Sequence, residues 1–367
     1  MNTKTGRIVI ALLGVSSVMA LYSFARPKAT VEADSGYRLV MGTFAHIIVV
    51  APDQRTADKS IDAALRQLQN IETLMSYHRA DSELAGVNRS AHKQPVKVSK
   101  DTFEVLQRAV EFSRLSDGAF DVTVGPLVDL WRRAAETNTA PTDSELTDTH
   151  AKVGYEKLIL DANEMTVRFA VEGMKLDLGA IAKGYGIDKA IEAMQHCDAV
   201  SGLVDVGGDI RCFGKPSKGK THWLIALQDP NVKSEIRPAT LGCDQTRLRR
   251  AKSEIPIETG EPLLTLKFND AAVATSGHYR RFAVIGGKKQ SHIIDTKTGY
   301  GSDKLASVTI IAKDATAADA LATAVSVMGA EKGLALIEKL PETEAILITS
   351  QPEYKIVRTS GVEKYIK

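Results

Sequence analysis

A pair of adjacent glycines between two β-rich runs is the feature that most constrains the fold of this chain. The run SGLVDV ends at Val206, Gly207 and Gly208 follow, and DIRCF begins at Asp209. Two residues can join antiparallel strands, whereas parallel strands need a crossover of a dozen or more residues. More short strand-like runs separated by turn residues follow between Leu263 and Tyr300. We therefore predict an α+β fold with a mixed, largely antiparallel sheet core and flanking helices.

Two amphipathic segments supply the predicted flanking helices. In residues 56–76 the apolar side chains recur at helical spacing, from Ile61 to Met75. Residues 99–118 repeat this pattern, with Ser99 placed as an N-cap and Gly118 just past the end. No period of 20–50 residues recurs along the chain, which excludes a repeat array.

Composition excludes several classes of function. The 367 residues carry 47 Lys and Arg against 45 Asp and Glu, a net charge of +2, and no basic patch with interleaved aromatics. We therefore predict no nucleic-acid partner. Three cysteines, Cys197, Cys212 and Cys243, form neither a disulfide framework nor a CxxC zinc motif, and the eight histidines include no HExxH.

The N-terminus predicts export. Lys4 and Arg7 precede an apolar run at residues 8–25, which is typical of a secretory signal peptide or an uncleaved anchor. Residues 1–25 are therefore predicted as signal or membrane anchor, with the protein periplasmic or held at the outer face of the cytoplasmic membrane through residues 8–25. We predict a linker at 26–36 and one catalytic domain over 37–367, within which the polar, basic segment 231–262 is a surface insertion.

The stretch LDLGAIAKGYGID, residues 176–188, has the composition of a phosphate-binding loop. Gly179 and Gly184 have P-loop spacing, but Tyr185 and Gly186 follow where Lys and Ser/Thr are required. Glycines still permit close backbone approach, a helix N-terminus attracts anions, and Lys183 offers a point charge to phosphate. The alternative is an ordinary strand-to-helix turn with a solvated lysine.

Two later stretches also carry chemistry. Asp319 and Thr323 lie four residues apart, hence on one helix face, and hard oxygen ligands suit Mg²⁺ better than zinc. Residues Thr316 to Asp319 also spell a capping box, which is the structural alternative. His292 follows a strand-like run and has the chemistry of a general base, although a strand-end histidine is commonly only structural.

Taken together and in order, these stretches resemble the ApbE family of FAD:protein FMN transferases, which are exported flavin-handling enzymes. The resemblance runs from about Met41 to about Gly329 and implies an ApbE, T-fold-like fold. The stretches that carry it are MGT, MSYHRADSELAGVN, DGAFDVTVGPLVDLW, VGYEKL, LDLGAIAKGYGID, VDVGGDIRCFG, VATSGHYRRF, HIIDTKTG and DATAADALATAVSVMG.

The resemblance implies two sets of site residues. A magnesium ion would be held by the backbone oxygen of Ala180 and the side chains of Asp319 and Thr323. Thr316 stands where relatives can carry a further ligand, and its hydroxyl is a weaker donor than a carboxylate, so the full set stays open. The residues implied to line the FAD site are Met41, Tyr77, Ala119, Phe120, Asp121, Asp177, Lys183 and the segment His292–Ile294, including Ile293.

The implied reaction is the Mg²⁺-dependent transfer of FMN from FAD, the substrate, to a Ser or Thr hydroxyl of an acceptor protein, with release of AMP. Lys183, the helix N-terminus and the Mg²⁺ held by Asp319 would stabilise phosphate charge, and His292 would assist loss of the hydroxyl proton, with Asp295 and solvent as alternatives. Tyr77 and Phe120 would pack on the flavin or adenine rings.

The resemblance also implies a partner, a flavoprotein acceptor such as a subunit of a membrane redox pump. Two other functions remain open at this stage. One is a metal-dependent FAD pyrophosphatase that yields FMN and AMP. The other is a non-catalytic FAD-binding protein that buffers flavin.

Overall fold

The computed structural model describes residues 30–217, 219–230, 262–277, 282–350 and 354–367. The helices in these ranges are α1 (Gln54–Met75), α2 (Glu83–Ser90), α3 (Lys100–Leu115), α4 (Gly125–Thr137), α5 (Asp143–His150), α6 (Ala182–His196), α7 (Ala315–Met328) and α8 (Ala330–Ile337), with 3₁₀ turns at Tyr155–Lys157 and Val362–Tyr365. The strands are β1 (Val31–Asp34), β2 (Arg38–Val40), β3 (Thr43–Ala51), β4 (Val96–Lys97), β5 (Leu158–Asp161), β6 (Thr166–Phe169), β7 (Ser201–Val206), β8 (Asp209–Phe213), β9 (Trp223–Leu227), β10 (Leu264–Phe268), β11 (Ala271–Gly277), β12 (Phe282–Ile285), β13 (Lys288–Ser291), β14 (Leu305–Ala312), β15 (Glu344–Thr349) and β16 (Ile356–Arg358).

One nine-stranded sheet organises the domain. Its order is β1-β3-β7-β8-β11-β14-β15-β16, with β2 also paired to β3, and every strand pair in it is antiparallel. β7 and β8 form the hairpin predicted around Gly207 and Gly208, with Val206 opposite Asp209. The predicted α+β fold with a largely antiparallel core is therefore confirmed.

The described chain begins its fold earlier than the sequence predicts. Part of the predicted linker, Val31–Asp34, is β1 and pairs with β3 from Val31 opposite Ala51 to Asp34 opposite Ile48. The strand covers a sheet edge whose backbone groups would otherwise lack partners. The predicted signal or anchor segment and almost all of the predicted insertion, residues 231–261, lie outside the described residues. None of the described helices is long and apolar enough to cross a membrane.

From sequence, residues 119–150 favour a strand-like run, AFDVTV, and later a polar loop, AAETNTAPTDSELTD. The chain instead forms α4, which starts with Pro126 in its first turn, and α5, whose Thr142 and Glu145 make a capping box. Polar residues dominate α5 because only Leu146 and Thr149 are buried. A helix with so narrow a buried face gives little apolar periodicity to detect.

Three helices cover the sheet at the position of the glycine-rich stretch. α6 packs between α1 and α7, and α7 lies directly on β11 and β14. Gly184 allows α6 and α7 to touch, since a Cβ there would lie 2.2 Å from the Ala315 carbonyl oxygen. Gly184 therefore has a packing role at this helix–helix contact.

We expect Gly184→Ala to destabilise the protein by about 1–3 kcal/mol, because the added methyl forces backbone apart at a close contact. Urea unfolding monitored by circular dichroism measures this change. Gly86→Ala in α2 is the matched control, because its Cβ would meet only Arg89 at 4.0 Å, and a helical Gly-to-Ala change there stabilises by roughly 0.5–1 kcal/mol. Equal stability of the two variants would contradict the packing role.

Candidate active site

The start of α6 holds a buried group of three charged side chains, here called the ion triad: Lys183, Asp209 and Asp319. The ammonium of Lys183 pairs with Asp209 and lies 3.3 Å from Asp319 Oδ1. The Asp319 Oδ2 atom also accepts the Gly184 amide N–H at 3.2 Å. The triad thus joins α6, β8 and α7, which are far apart in sequence.

The charges of the ion triad do not cancel. Two carboxylates and one ammonium leave one net negative charge, and the two carboxylate side chains keep only 5% of their exposure. Burial raises the pKa of Asp319 to about 6, Lys183 opposes this rise and Asp209 adds to it. Burial alone would lower the pKa of Lys183, and the two carboxylates raise it above its ordinary value. A buried net charge of this sign attracts a cation.

Lys183 is the most accessible member of the triad. Its side chain keeps 30% of its exposure, against 5% for each of the two carboxylates. The nearest backbone donor of α6, the Gly184 N–H, already serves Asp319. A phosphate in this place would therefore meet Lys183 first, and the helix N-terminus that the sequence offered to an anion is partly used by the protein itself.

The other predicted metal ligands differ in their burial and hydrogen bonding. Thr323 lies one turn after Asp319 on α7, partly exposed, and its hydroxyl makes no hydrogen bond within the described part of the chain. Ala180 occupies the turn that leads into α6. Thr316 is fully buried and its hydroxyl donates to Asp188. The capping-box alternative is wrong, because the N-cap of α7 is Asp314.

Asp209 is the site residue that sequence reasoning missed. It opens β8 directly after the Gly207–Gly208 turn and also accepts the Thr275 N–H at 3.4 Å. The sequence predicts only that Asp209 belongs to a hairpin. The one signal that could have identified Asp209 is its position, since it is an acidic residue at the start of a largely apolar strand.

The segment Ala119–Asp121, predicted to line the FAD site, is buried. The Asp121 carboxylate accepts from the Thr123 N–H and hydroxyl and from the Tyr155 N–H, at 2.7–2.8 Å. Burial raises the pKa of Asp121, and these hydrogen bonds oppose the rise. Phe120 is 1% exposed and packs edge-to-face on Phe112. The expected stacking of Phe120 on a flavin or adenine ring is therefore not supported, because its ring lies inside the core.

Tyr77 and Asp177 lie close to that segment. Asp177 donates its N–H to the Val122 carbonyl at 2.7 Å and accepts the Gly179 N–H at 2.8 Å. Tyr77 donates to the Gly125 carbonyl at 3.2 Å. Burial, and to a lesser degree the nearby Asp129 carboxylate, raises the pKa of Tyr77, and burial raises the pKa of Asp177. Both side chains are partly exposed, and the Arg132 guanidinium lies over the Tyr77 ring, 5.4 Å from its centroid.

Met41 borders the same helix as Lys183. It occupies the turn between β2 and β3 with φ 53°, a left-handed conformation. A Cβ on Gly186 would meet Met41 Sδ at 3.2 Å, which places the methionine on α6 one turn past Lys183.

The second group of predicted residues gathers at the other end of α7. Ile293 packs with Ala119 and Val327, and a small cleft beside them is also lined by Asp295 and Lys304. Asp295 is buried and pairs with Lys304 at 3.1 Å, whereas His292 is exposed just after β13. Val327 follows Asp319 by eight residues, or about 12 Å along the helix. α7 therefore connects this cleft to the ion triad.

We expect Lys183→Met to lower the free energy of unfolding by about 1–3 kcal/mol, because it leaves two buried carboxylates without a cation at a partly exposed site. Adding Asp209→Asn should restore part of that loss. Lys189→Met, on the same helix but at surface pairs with Glu104 and Glu192, serves as control. Thermal and urea unfolding provide the measurement, and an additive double mutant would contradict the coupling.

Comparison with known proteins identifies the family of this chain. The ApbE family model matches residues 41–347. An FAD:protein FMN transferase of Vibrio cholerae is 32% identical over 362 residues, covering 97% of this chain and 98% of the relative. One of Haemophilus influenzae is 32% identical over 334 residues, covering 89% of each chain.

Solved structures agree with the sequence matches. The crystal structure of the ApbE protein of Thermotoga maritima has a TM-score of 0.75 at 29% identity, covering 92% of this chain and all of that one. The flavin transferase ApbE of Vibrio cholerae has a TM-score of 0.72 at 29% identity, with the same coverage. The resemblance found in the sequence motifs is confirmed, and the chain belongs to the ApbE family.

Proposed function

We propose that this protein is an FAD:protein FMN transferase that moves FMN from FAD to a Ser or Thr hydroxyl of an acceptor protein and releases AMP. The ion triad carries the proposal. It sets a lysine with a partly exposed side chain beside two buried carboxylates, with one uncompensated negative charge. Relatives with 32% identity over most of the chain bear the name of this activity.

One carboxylate of the ion triad and two neighbouring oxygen donors suit a magnesium ion. We propose Asp319, Thr323 and the Ala180 carbonyl as ligands, because they are hard oxygen donors and Thr323 has no hydrogen bond within the described residues. When bound, Mg²⁺ neutralises charge that develops on phosphate oxygens. Asp209 would then keep Lys183 charged and oriented, which leaves Asp319 to the metal.

The proposed step exchanges one phosphorus–oxygen bond for another. The acceptor hydroxyl oxygen attacks the phosphorus on the FMN side of the pyrophosphate, and the bond from that phosphorus to the bridging oxygen breaks. The bridging oxygen leaves with AMP and keeps the bonding electron pair. Lys183 holds the phosphate oxygens in place, and His292 takes the hydroxyl proton. Tyr77 supplies an aromatic face for a ring of the substrate.

We also propose that the protein is exported and acts on a flavoprotein of a membrane redox system outside the cytoplasm. The basic start and the apolar run at residues 8–25 support export. Residues 1–25 would serve as a cleaved signal or as an anchor, and cell fractionation followed by N-terminal sequencing of the mature protein distinguishes the two.

The decisive experiment incubates the purified protein with FAD, Mg²⁺ and a purified flavin-carrying acceptor subunit. We expect covalent flavin on the acceptor, seen by in-gel fluorescence, with one AMP released per flavin attached. AMP release that does not require an acceptor would instead indicate a pyrophosphatase. FAD binding with neither product would indicate a flavin-buffering protein.

Asp319→Asn should lower the rate of flavin attachment by about 100-fold or more, because it removes the one charged ligand of the proposed Mg²⁺, whose charge would stabilise the transition state. The asparagine keeps the shape of the side chain, so circular dichroism should show a folded protein. Asp303→Asn, at an exposed position before β14, is the control and should retain full activity. A fully active Asp319→Asn enzyme would contradict the proposed metal site.

Lys183→Ala should weaken FAD binding by about tenfold or more, because one charge-assisted contact to phosphate contributes roughly 1.5–3 kcal/mol. Quenching of flavin fluorescence on titration with protein measures the affinity. Lys189→Ala removes a lysine from the same helix and should leave the affinity unchanged. Equal affinities for the two variants would contradict the phosphate contact.

A further inference from the structure

A second polar cluster, here called the brace, lies beside the ion triad and is formed by Asp188, Arg211 and Thr316. The buried Asp188 carboxylate accepts Arg211 Nη1 at 2.7 Å and the Ala315 and Thr316 N–H groups at 2.9 Å each. It also accepts the Thr316 hydroxyl. One carboxylate therefore receives four hydrogen bonds from two other elements of the fold.

The brace and the ion triad join the same three elements. On α6 the two clusters are five residues apart, on β8 two residues and on α7 three residues. The pairs are Lys183 and Asp188 on α6, Asp209 and Arg211 on β8, and Asp319 and Thr316 on α7.

Packing holds α7 close against α6 and the sheet, and eleven of its fourteen residues are buried. Six of the fourteen are alanines, so polar contacts add to the small side chains in fixing the register of the helix. The positive end of the α7 dipole meets the Asp188 charge, and two of the N–H groups that lack helical partners are satisfied there. A fully satisfied buried polar network of this kind specifies one arrangement of the elements it joins.

We propose that Asp188 is a positioning residue for the site, since it holds α7 in register against α6 and β8 so that Asp319 and Thr323 face Lys183. The inference rests on the proposed function for its meaning, because it assigns Asp188 to the magnesium-dependent step. Asp188 itself touches neither the substrate nor the metal. It acts through the placement of the α7 carboxylate.

A variant of the neighbouring Asp314 distinguishes a positioning role of Asp188 from simple capping of α7. Asp314 is the N-cap of α7, accepts the Ala317 N–H at 2.8 Å and pairs with Arg108 of α3 at 3.1 Å. It caps the same helix end with the same type of group but forms no bond to α6 or β8 within the described residues. Asp314→Asn is therefore the matched control for Asp188→Asn.

The experiment compares three variants of the full chain loaded with FAD: Asp188→Asn, Arg211→Gln and Asp314→Asn. Mn²⁺ binding is followed by electron paramagnetic resonance, and the Mg²⁺ concentration for half-maximal flavin attachment is measured with kcat and the KM for FAD. Asp188→Asn and Arg211→Gln should weaken Mn²⁺ binding and raise the half-maximal Mg²⁺ concentration by about tenfold, the usual effect of losing a residue that orients a metal ligand. In both variants the KM for FAD should stay within about threefold of the parent value, because the change acts on a metal ligand. The Asp314→Asn control should stay within about twofold of the parent in Mn²⁺ affinity, Mg²⁺ requirement, kcat and KM, because Asp314 orients no metal ligand.

Each outcome decides the proposal. Folded Asp188→Asn protein with parental Mn²⁺ affinity would overturn it, and so would an Asp314→Asn variant that loses as much. If Asp188→Asn does not fold, Arg211→Gln gives the same decision from the β8 side of the brace. If the parent binds Mn²⁺ but attaches no flavin, the proposed function fails, and the Mn²⁺ comparison still decides the positioning role.

Discussion

The rest of the site depends on the contact between the Lys183 ammonium and two buried carboxylates. Asp209 and Asp319 could not both stay charged in the core without a cation, and burial already raises the pKa of Asp319 to about 6. The lysine reduces this cost but leaves one negative charge uncompensated. That imbalance makes the same place suitable for a divalent cation and for the phosphates that accompany it.

The packing of α6 against α7 brings Lys183 and Asp319 together. Gly184 removes the side chain that would separate α6 from α7, and the resulting contact lets its N–H reach Asp319. Asp188 adds a second set of bonds between the same elements and satisfies the start of α7. Close packing and polar satisfaction therefore serve one purpose in this region, since both determine where a carboxylate on α7 lies.

Much of the fold could be predicted because its signals are local. Ser99 caps α3 as predicted, the Gly207–Gly208 turn forms its hairpin, and Asp319 and Thr323 share a helix. Other features could not be predicted. β1 gives no signal that distinguishes it from a linker, since its pairing partner is β3, and α5 buries too little apolar surface to show a helical period. Phe120 looked like a ligand-facing aromatic because sequence does not show which side of a loop faces the core.

The sequence by itself determined the family, the antiparallel hairpin and most of the helices, because motif order, turn residues and 3.6-residue periodicity are properties of neighbouring residues. Only the tertiary structure decided that Asp209 joins Lys183, that Thr316 binds Asp188, and that Gly184 is needed for helix contact. These relations span 26 to 131 residues along the chain. They arise because a buried charge must find a partner wherever packing places one, and no local pattern in the sequence records that choice.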